Sequence, residues 1–270
     1  MTLTLSRGPL SKAPPDTVNY RVDGPEHRLY FERFPRRVRT VLAGTTIADT
    51  TRGRLLHETG YLPVLYFPES DVRTDLLQPS DHSTACPYKG SASYWTVAVG
   101  DRRAENAVWA YPVPLPDAAW LAGYLAFYWD AMDAWFDEDE RVEGHLRDPY
   151  HRVDVRESSR HLRILANDIV IAATDRPRLL SETGLPNRFY VRPEDVRQDL
   201  LEPSEKRTVC PYKGTATYWT LRANGTVIDD VAWSYETPLE DATKVANHLT
   251  FVHPGIELEI DGERMAPDSV

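Results

Sequence analysis

Polar and apolar residues alternate from Ser91 to Val99, and the alternation resumes after Gly100-Asp101. A period of two residues is typical of a β-strand, because successive side chains point to opposite faces of a sheet. A two-residue turn between the runs predicts a β-hairpin. On one face of this hairpin we expect Trp95, Val97, Val99, Val108 and Ala110. On the other we expect Tyr94, Thr96, Glu105, Trp109 and Tyr111.

Shorter patterns predict the remaining elements. Two apolar runs around Ala43-Gly44 indicate a second hairpin, and Val64 to Phe67 is typical of a buried strand that ends at Pro68. The segment from Asp71 to Leu77 is predicted as a single helical turn with Asp71 and Asp75 on one face. Apolar residues at helical spacing predict a helix over 118–136, after a proline-rich start.

The chain contains two copies of one sequence pattern, offset by 124 residues. Glu58-Thr59-Gly60 recurs as Glu182-Thr183-Gly184, and the run from Cys86 to Gly90 recurs from Cys210 to Gly214. No gap opens in the offset, so we expect the copies to share one backbone. The predicted organisation is a flexible N-terminal segment (1–29), a first domain (30–136), a linker (137–152) and a second domain (153–265). We also expect the two repeats to pack on each other.

Composition restricts the classes of partner. The 270 residues carry a formal net charge of −10, which disfavours nucleic acid, because its binders usually present a basic surface. The sequence contains no apolar stretch of membrane-spanning length and no signal-like N-terminus. Two cysteines, without a Cys-x-x-Cys pair, predict a protein of the reducing cytoplasm with no zinc site. We expect no cofactor.

The aromatic face of the long hairpin is the predicted ligand site. Aromatic rings beside a few polar groups are typical of small-molecule pockets. The predicted binding residues are Tyr88, Lys89, Tyr94, Trp109 and Tyr111, with Tyr212, Lys213, Tyr218, Trp233 and Tyr235 in the second copy. The alternative is that both faces are buried, one of them under the helix.

Two repeated sets of residues are candidates for catalysis. Lys89 and Lys213 are interpreted as a nucleophile or base, as an anion-binding charge, or as strand lysines whose stems cover apolar surface. Asp71 with Asp75, and Asp195 with Asp199, are the repeated carboxylates available for magnesium. The cysteines are expected to be buried and inert.

The residues that carry the repeat resemble the DUF427 family. The resemblance rests on Glu58-Thr59-Gly60, on the acidic segment from Asp71 to Leu77, and on the segment from Cys86 to Trp95. It covers roughly 36–136 and 160–262. It implies a mainly β (α+β) protein of two tandem β-tent-like domains, each with small antiparallel sheets and one C-terminal helix. The family name assigns no function, although a nucleotidyltransferase-like label is sometimes attached to it.

Three functions stay open at this point. The first is a small-molecule binding module with an aromatic pocket in one or both repeats. The second is an enzyme that acts on nucleotides or small anions through Lys89 or the Asp71/Asp75 pair. The third is a protein-interaction module that presents the aromatic face to a partner.

Overall fold

The computed structural model describes residues 3–6, 8–13, 19 and 23–270, and these divide into two compact units. The first unit runs to Asp148 and the second begins at Pro149. Both are built from antiparallel sheets, which confirms the mainly β class. Within the described part of the chain, no helix is long and apolar enough to span a membrane.

In the described residues of the first unit, eleven strands form two sheets. Seven strands pair in the order β1-β4-β5-β9-β8-β7-β6, and four in the order β11-β10-β2-β3. The strands are β1 Leu29–Arg33, β2 Val38–Leu42, β3 Thr45–Thr50, β4 Arg54–Glu58, β5 Val64–Pro68, β6 Leu77–Cys86, β7 Gly90–Val99, β8 Arg102–Ala110, β9 Tyr124–Phe127, β10 Ala134–Asp137 and β11 Glu140–Val142. Short 3₁₀ helices cover Glu69–Asp71, Thr74–Leu76, Pro116–Leu121 and Trp129–Ala131.

The second unit repeats this arrangement, with its sheets divided differently. The orders are β12-β15-β16, β14-β13-β21-β22 and β17-β18-β19-β20, and an isolated bridge between Val191 and Leu249 links the first of these sheets to the last. The strands are β12 Val153–Glu157, β13 Leu162–Ala166, β14 Ile169–Thr174, β15 Arg178–Glu182, β16 Arg188–Tyr190, β17 Leu201–Cys210, β18 Gly214–Ala223, β19 Thr226–Tyr235, β20 Leu249–Phe251, β21 Ile256–Ile260 and β22 Glu263–Met265. Its 3₁₀ helices are Pro193–Asp195, Gln198–Leu200, Glu240–Val245 and Pro267–Ser269.

Both predicted hairpins are present. Strands β7 and β8 join through the two-residue turn Gly100-Asp101, and β2 and β3 join through Ala43-Gly44. Ala43 and Gly44 both have positive φ angles, 48° and 71°. Two consecutive positive φ angles are characteristic of the type I′ turn, which matches the twist of a hairpin. The buried strand predicted before Pro68 is β5.

The long predicted helix over 118–136 is wrong. This region instead holds two short 3₁₀ segments, Pro116–Leu121 and Trp129–Ala131, with β9 between them and β10 after them. Gly123 has a φ of +77° and interrupts any helix there. The second repeat has Pro254 within the corresponding segment, and a proline inside a helix removes a hydrogen bond and clashes with the preceding turn. The apolar residues at helical spacing instead belong to short strands and turns that bury them.

The ends of the predicted domains also contain ordered contacts. Within the predicted linker, β11 pairs with β10. In the predicted N-terminal segment, Thr4 accepts a hydrogen bond from the Gly60 backbone N–H, and Leu10 accepts one from the Thr59 hydroxyl. The remainder of that segment, 1–2, 7, 14–18 and 20–22, lies outside the described residues.

The long hairpin separates two apolar clusters in each unit. In the first unit Val97 and Val108 belong to a core shared with β2 and β3, and Tyr94 and Tyr111 belong to a second cluster on the opposite face. The predicted division of the two faces is confirmed for these residues. Glu105 is exposed, because a bulge with a positive φ at Asn106 shifts the register of β8.

Candidate functional site

The aromatic face of the first repeat is largely buried. Tyr94 and Tyr111 pack with Tyr66 and Leu56, and the helix Pro116–Leu121 covers them with Leu121. Trp109 is partly buried beside them, and its indole N–H donates a hydrogen bond to the Tyr66 hydroxyl at 3.3 Å. Tyr94 and Tyr111 are therefore buried, as the alternative of two buried faces expected, but under the short segment Pro116–Leu121 and not under a helix over 118–136.

Lys89 lies at the edge of this cluster and forms an ion pair. Its ammonium donates a hydrogen bond to the Glu58 carboxylate and lies 5.8 Å from the centre of the Tyr111 ring. The same carboxylate is bound on its other oxygen by His27, with Nε2 at 2.8 Å. The His27 ring is stacked on Tyr88 at a centroid distance of 3.9 Å. Tyr88 thus contacts the site through His27, and its side chain is 41% exposed.

The second repeat builds the same three-residue arrangement. Lys213 donates a hydrogen bond to one oxygen of Glu182, and His151 Nε2 lies 2.9 Å from the other. The His151 ring lies 4.1 Å from the ring of Tyr212. Tyr212 is only 5% exposed, against 41% for its counterpart Tyr88. We call each set, His27–Glu58–Lys89 and His151–Glu182–Lys213, a His–Glu–Lys group.

The sequence analysis missed both histidines. His27 lies in the segment predicted as flexible and His151 in the segment predicted as a linker, so neither was considered for the site. The two glutamates were noted only as part of the repeated signature. The available signal was the offset, because His27 and His151 are separated by the same 124 residues as the other repeated positions.

Burial and charge set the ionisation of these groups. Burial alone raises the pKa of the Glu182 carboxyl, but the hydrogen bond with His151 and the nearby Lys213 ammonium together lower that pKa by more than burial raises it. The pKa therefore lies below its usual value, and Glu182 is ionised at neutral pH. Burial raises the pKa values of Tyr66, Tyr111, Tyr190 and Tyr235. Their hydroxyls are neutral hydrogen-bonding groups at physiological pH.

A cavity of about 180 Å³ opens at the His–Glu–Lys group of the second repeat. Glu182 and Lys213 line it together with three aromatic residues. Its lining comprises Leu180, Glu182, Leu185, Pro186, Arg188, Tyr190, Lys213, Trp233 and Tyr235. Three predicted binding residues, Lys213, Trp233 and Tyr235, thus meet at one cavity. Tyr212 and Tyr218 are not part of its lining; Tyr218 lies 6.0 Å from Trp233, between ring centres.

A different cavity, of about 210 Å³, occurs in the first repeat. Its lining includes Tyr111 and Trp95 together with Tyr124, but none of Tyr88, Lys89, Tyr94 and Trp109. Of the five predicted residues of the first repeat, Tyr94, Trp109 and Tyr111 form a packed cluster, and Tyr111 alone lines this cavity.

The predicted pairing of the aspartates is wrong. Val72 has an extended backbone between the helical turns Glu69–Asp71 and Thr74–Leu76, so Asp71 and Asp75 do not share a helical face. Asp71 accepts hydrogen bonds from Thr50 and Arg52, and Asp75 is paired with Arg73. In the second repeat Asp195 is bound by Thr174, and Asp199 by Arg197. Among the residues that the structure describes, no group of three His, Cys, Asp or Glu side chains is arranged to hold a metal ion.

Comparison with known proteins agrees with the internal repeat. No curated protein is significantly similar to the chain. The family model described as a domain of unknown function (DUF427) matches twice, over residues 30–138 and 154–262. These matches cover most of the sequence and contain the glutamate and lysine of both His–Glu–Lys groups, while both histidines precede the matched segments. The chain therefore belongs to the DUF427 family and carries its domain in tandem.

Proposed function

We propose that this protein binds a small, uncharged ring compound in the cavity of the second repeat. The observation that carries the proposal is the meeting of a buried Lys213–Glu182 ion pair with Tyr190, Trp233 and Tyr235 at one opening. An apolar wall with a few convergent polar groups is the usual character of a ligand site.

The size of the cavity limits the ligand. Pockets for drug-sized molecules typically enclose roughly 300–1,000 Å³, and this cavity has about 180 Å³. A compound with one ring and a short polar substituent fits that volume. Flat rings suit the aromatic wall, since stacked or edge-to-face ring pairs contribute about 0.5–1.5 kcal/mol beyond burial.

The charges of the cavity favour a ligand without net charge. Lys213 and Glu182 neutralise each other, and Arg188 is paired with Asp268 at 2.7 Å. A charged ligand would lose water of hydration without gaining an unpaired opposite charge. A cyclic amide or imide instead offers one N–H donor and one carbonyl acceptor, which match the carboxylate and the ammonium.

The other two functions have less support. The ammonium groups of the candidate lysines Lys89 and Lys213 are each held in an ion pair with a glutamate, so neither is directed at a substrate. The aspartates of the enzyme hypothesis are paired with arginines. A protein-interaction surface needs an exposed aromatic face, and Tyr94, Tyr111 and Tyr235 are buried.

The test is a binding measurement with matched variants. Cyclic amides and imides, and ring carboxylates of equal size, are titrated against the full chain by calorimetry and thermal shift. We expect the neutral compounds to bind and the carboxylates to bind at least about tenfold more weakly. At a ligand concentration about 100 times Kd, stabilisation of about 2.7 kcal/mol follows from mass action.

The variants Trp233→Phe and Trp109→Phe test which of the two repeats binds the ligand. Each change replaces an indole that is partly buried and hydrogen-bonded to a tyrosine with a smaller ring, so the effects of the two changes on folding are comparable. We expect Trp233→Phe to weaken binding at least fivefold and Trp109→Phe to leave it unchanged. Absence of binding by any neutral ring compound, or equal losses in both variants, would contradict the proposal.

A further inference from the structure

An open groove runs along the outer edge of the seven-stranded sheet in the first repeat. It has a volume of about 480 Å³ and is lined by Leu29, Tyr30, Phe31, Arg54, Trp120 and Tyr124. Phe31 is stacked on Trp120 with ring centres 4.7 Å apart, and Tyr124 meets Phe31 edge-on at 5.3 Å. The edge strand β1 thus presents aromatic rings, some of them partly in solvent, since Tyr30 and Trp120 are exposed.

Arg54 of the groove lining has a second arginine as its neighbour on the edge strand. Strands β1 and β4 are antiparallel, and their register places Arg33 directly opposite Arg54. Across the described ranges, neither guanidinium forms an ion pair with an acidic side chain. Like charges directly opposite on neighbouring strands are destabilising. Glu32, which accepts a hydrogen bond from Tyr30 at the groove, is bound by His57.

The second repeat has a different pair of residues at the corresponding positions. Its register places Glu157 opposite Arg178, an attractive pair where the first repeat has Arg33 and Arg54. Arg178 also donates a hydrogen bond to the Lys244 carbonyl, which ties the arginine to the helix Glu240–Val245. Lys244 itself occupies the position of Trp120, and Val155 that of Phe31. The counterpart of the groove is therefore neutralised and has lost three of its rings, because Asp154 also occupies the position of Tyr30.

We propose that the groove of the first repeat binds an aromatic acid, a planar ring that carries a carboxylate or a phosphate. The anion accepts hydrogen bonds from Arg54, because a guanidinium can bind a carboxylate or a phosphate in a bidentate manner. Its negative charge also offsets the repulsion between Arg54 and Arg33. The ring packs on Trp120 and Tyr124. This site differs in repeat, lining and ligand charge from the cavity of the second repeat.

The test uses fluorinated probes and two designed variants. Binding of 4-fluorobenzoate, 4-fluorophenyl phosphate and the neutral 4-fluorobenzamide to the full chain is followed by fluorine NMR. Arg54→Gln removes the anion contact, and Arg33→Glu copies the pairing of Glu157 with Arg178. We expect each variant to weaken both anionic probes about tenfold or more, and to leave the weak binding of the amide unchanged.

Trp120→Ala and Arg178→Gln complete the set. Trp120 is exposed, so we expect Trp120→Ala to fold and to weaken all three probes. Arg178→Gln, the matched change in the second repeat, is expected to have no effect. The proposal is overturned if neither anion binds at millimolar concentration, if Arg54→Gln and Arg33→Glu bind like the parent protein, or if Arg178→Gln causes the same loss as Arg54→Gln. If both anions bind equally well, the ligand class is defined by an acid group of either kind. If one anion binds more tightly, that anion identifies the ligand as a carboxylate or as a phosphate.

Discussion

Lys213 donates a hydrogen bond to Glu182, and the two side chains are only 10% and 8% exposed. The pair joins the residue just before β18 to the last residue of β15. Its counterpart in the first repeat joins Lys89 to Glu58, with comparable exposures of 9% and 14%. An ion pair buried to this degree is costly to break, because the remaining charge loses its partner without regaining water.

Lys213→Met is expected to destabilise the protein by about 3–5 kcal/mol, since it leaves the buried Glu182 carboxylate without its ammonium partner. Removal of both charges in Lys213→Met/Glu182→Leu should recover most of that loss. Urea unfolding of the three proteins measures the difference. A double variant no more stable than Lys213→Met would show that the cost arises from lost packing rather than from the unpaired charge.

The lowered pKa of Glu182 predicts an acid-dependent loss of stability. The folded pKa lies below the unfolded value of about 4.3, so the folded state favours the ionised carboxylate. The stabilisation is fully present above the unfolded pKa and is lost as the pH falls through the folded pKa. We expect the free energy of unfolding to decline below about pH 5, and Glu182→Gln to remove part of that slope.

Asp199→Asn provides the comparison for this titration. Its carboxylate also has a lowered pKa through Arg197, but it is exposed, and exposed ion pairs contribute little. The variant should therefore keep nearly the whole slope. If Glu182→Gln retains the parent slope as well, another carboxylate is responsible for the acid sensitivity.

The turn at Ala43 offers a stabilising substitution. Ala43 has a φ of 48°, in the left-handed region that alanine disfavours and asparagine tolerates. Ala43→Asn places an Asn-Gly pair in a type I′ turn, the preferred sequence for that geometry. We expect a gain of about 0.5–1 kcal/mol in the free energy of unfolding, measured by urea denaturation.

The second repeat supplies the reverse experiment. Asn167 occupies the corresponding position with a φ of 47°. Asn167→Ala should therefore lose about as much stability as Ala43→Asn gains. A loss or no change in Ala43→Asn would contradict the turn preference, because the backbone N–H that donates to Asp133 at 2.6 Å is present in both proteins.

The sequence alone determined the repeat, the hairpins and the two faces of the long hairpin. These features depend on local alternation, on two-residue turns and on a constant offset, so each can be recognised without knowing how distant segments meet. The helix over 118–136 was wrong for the same local reason. Apolar residues at helical spacing also occur where short strands and turns bury side chains in two different clusters.

Only the tertiary structure decided the site. Glu58 is 31 residues from His27 and 31 residues from Lys89, and sheet pairing brings the three together. The strand register likewise decided that Arg33 meets Arg54 while Glu157 meets Arg178. Sequence patterns describe which face a side chain occupies, but contacts between distant strands depend on pairing order, and this order is set by the packing of the whole domain.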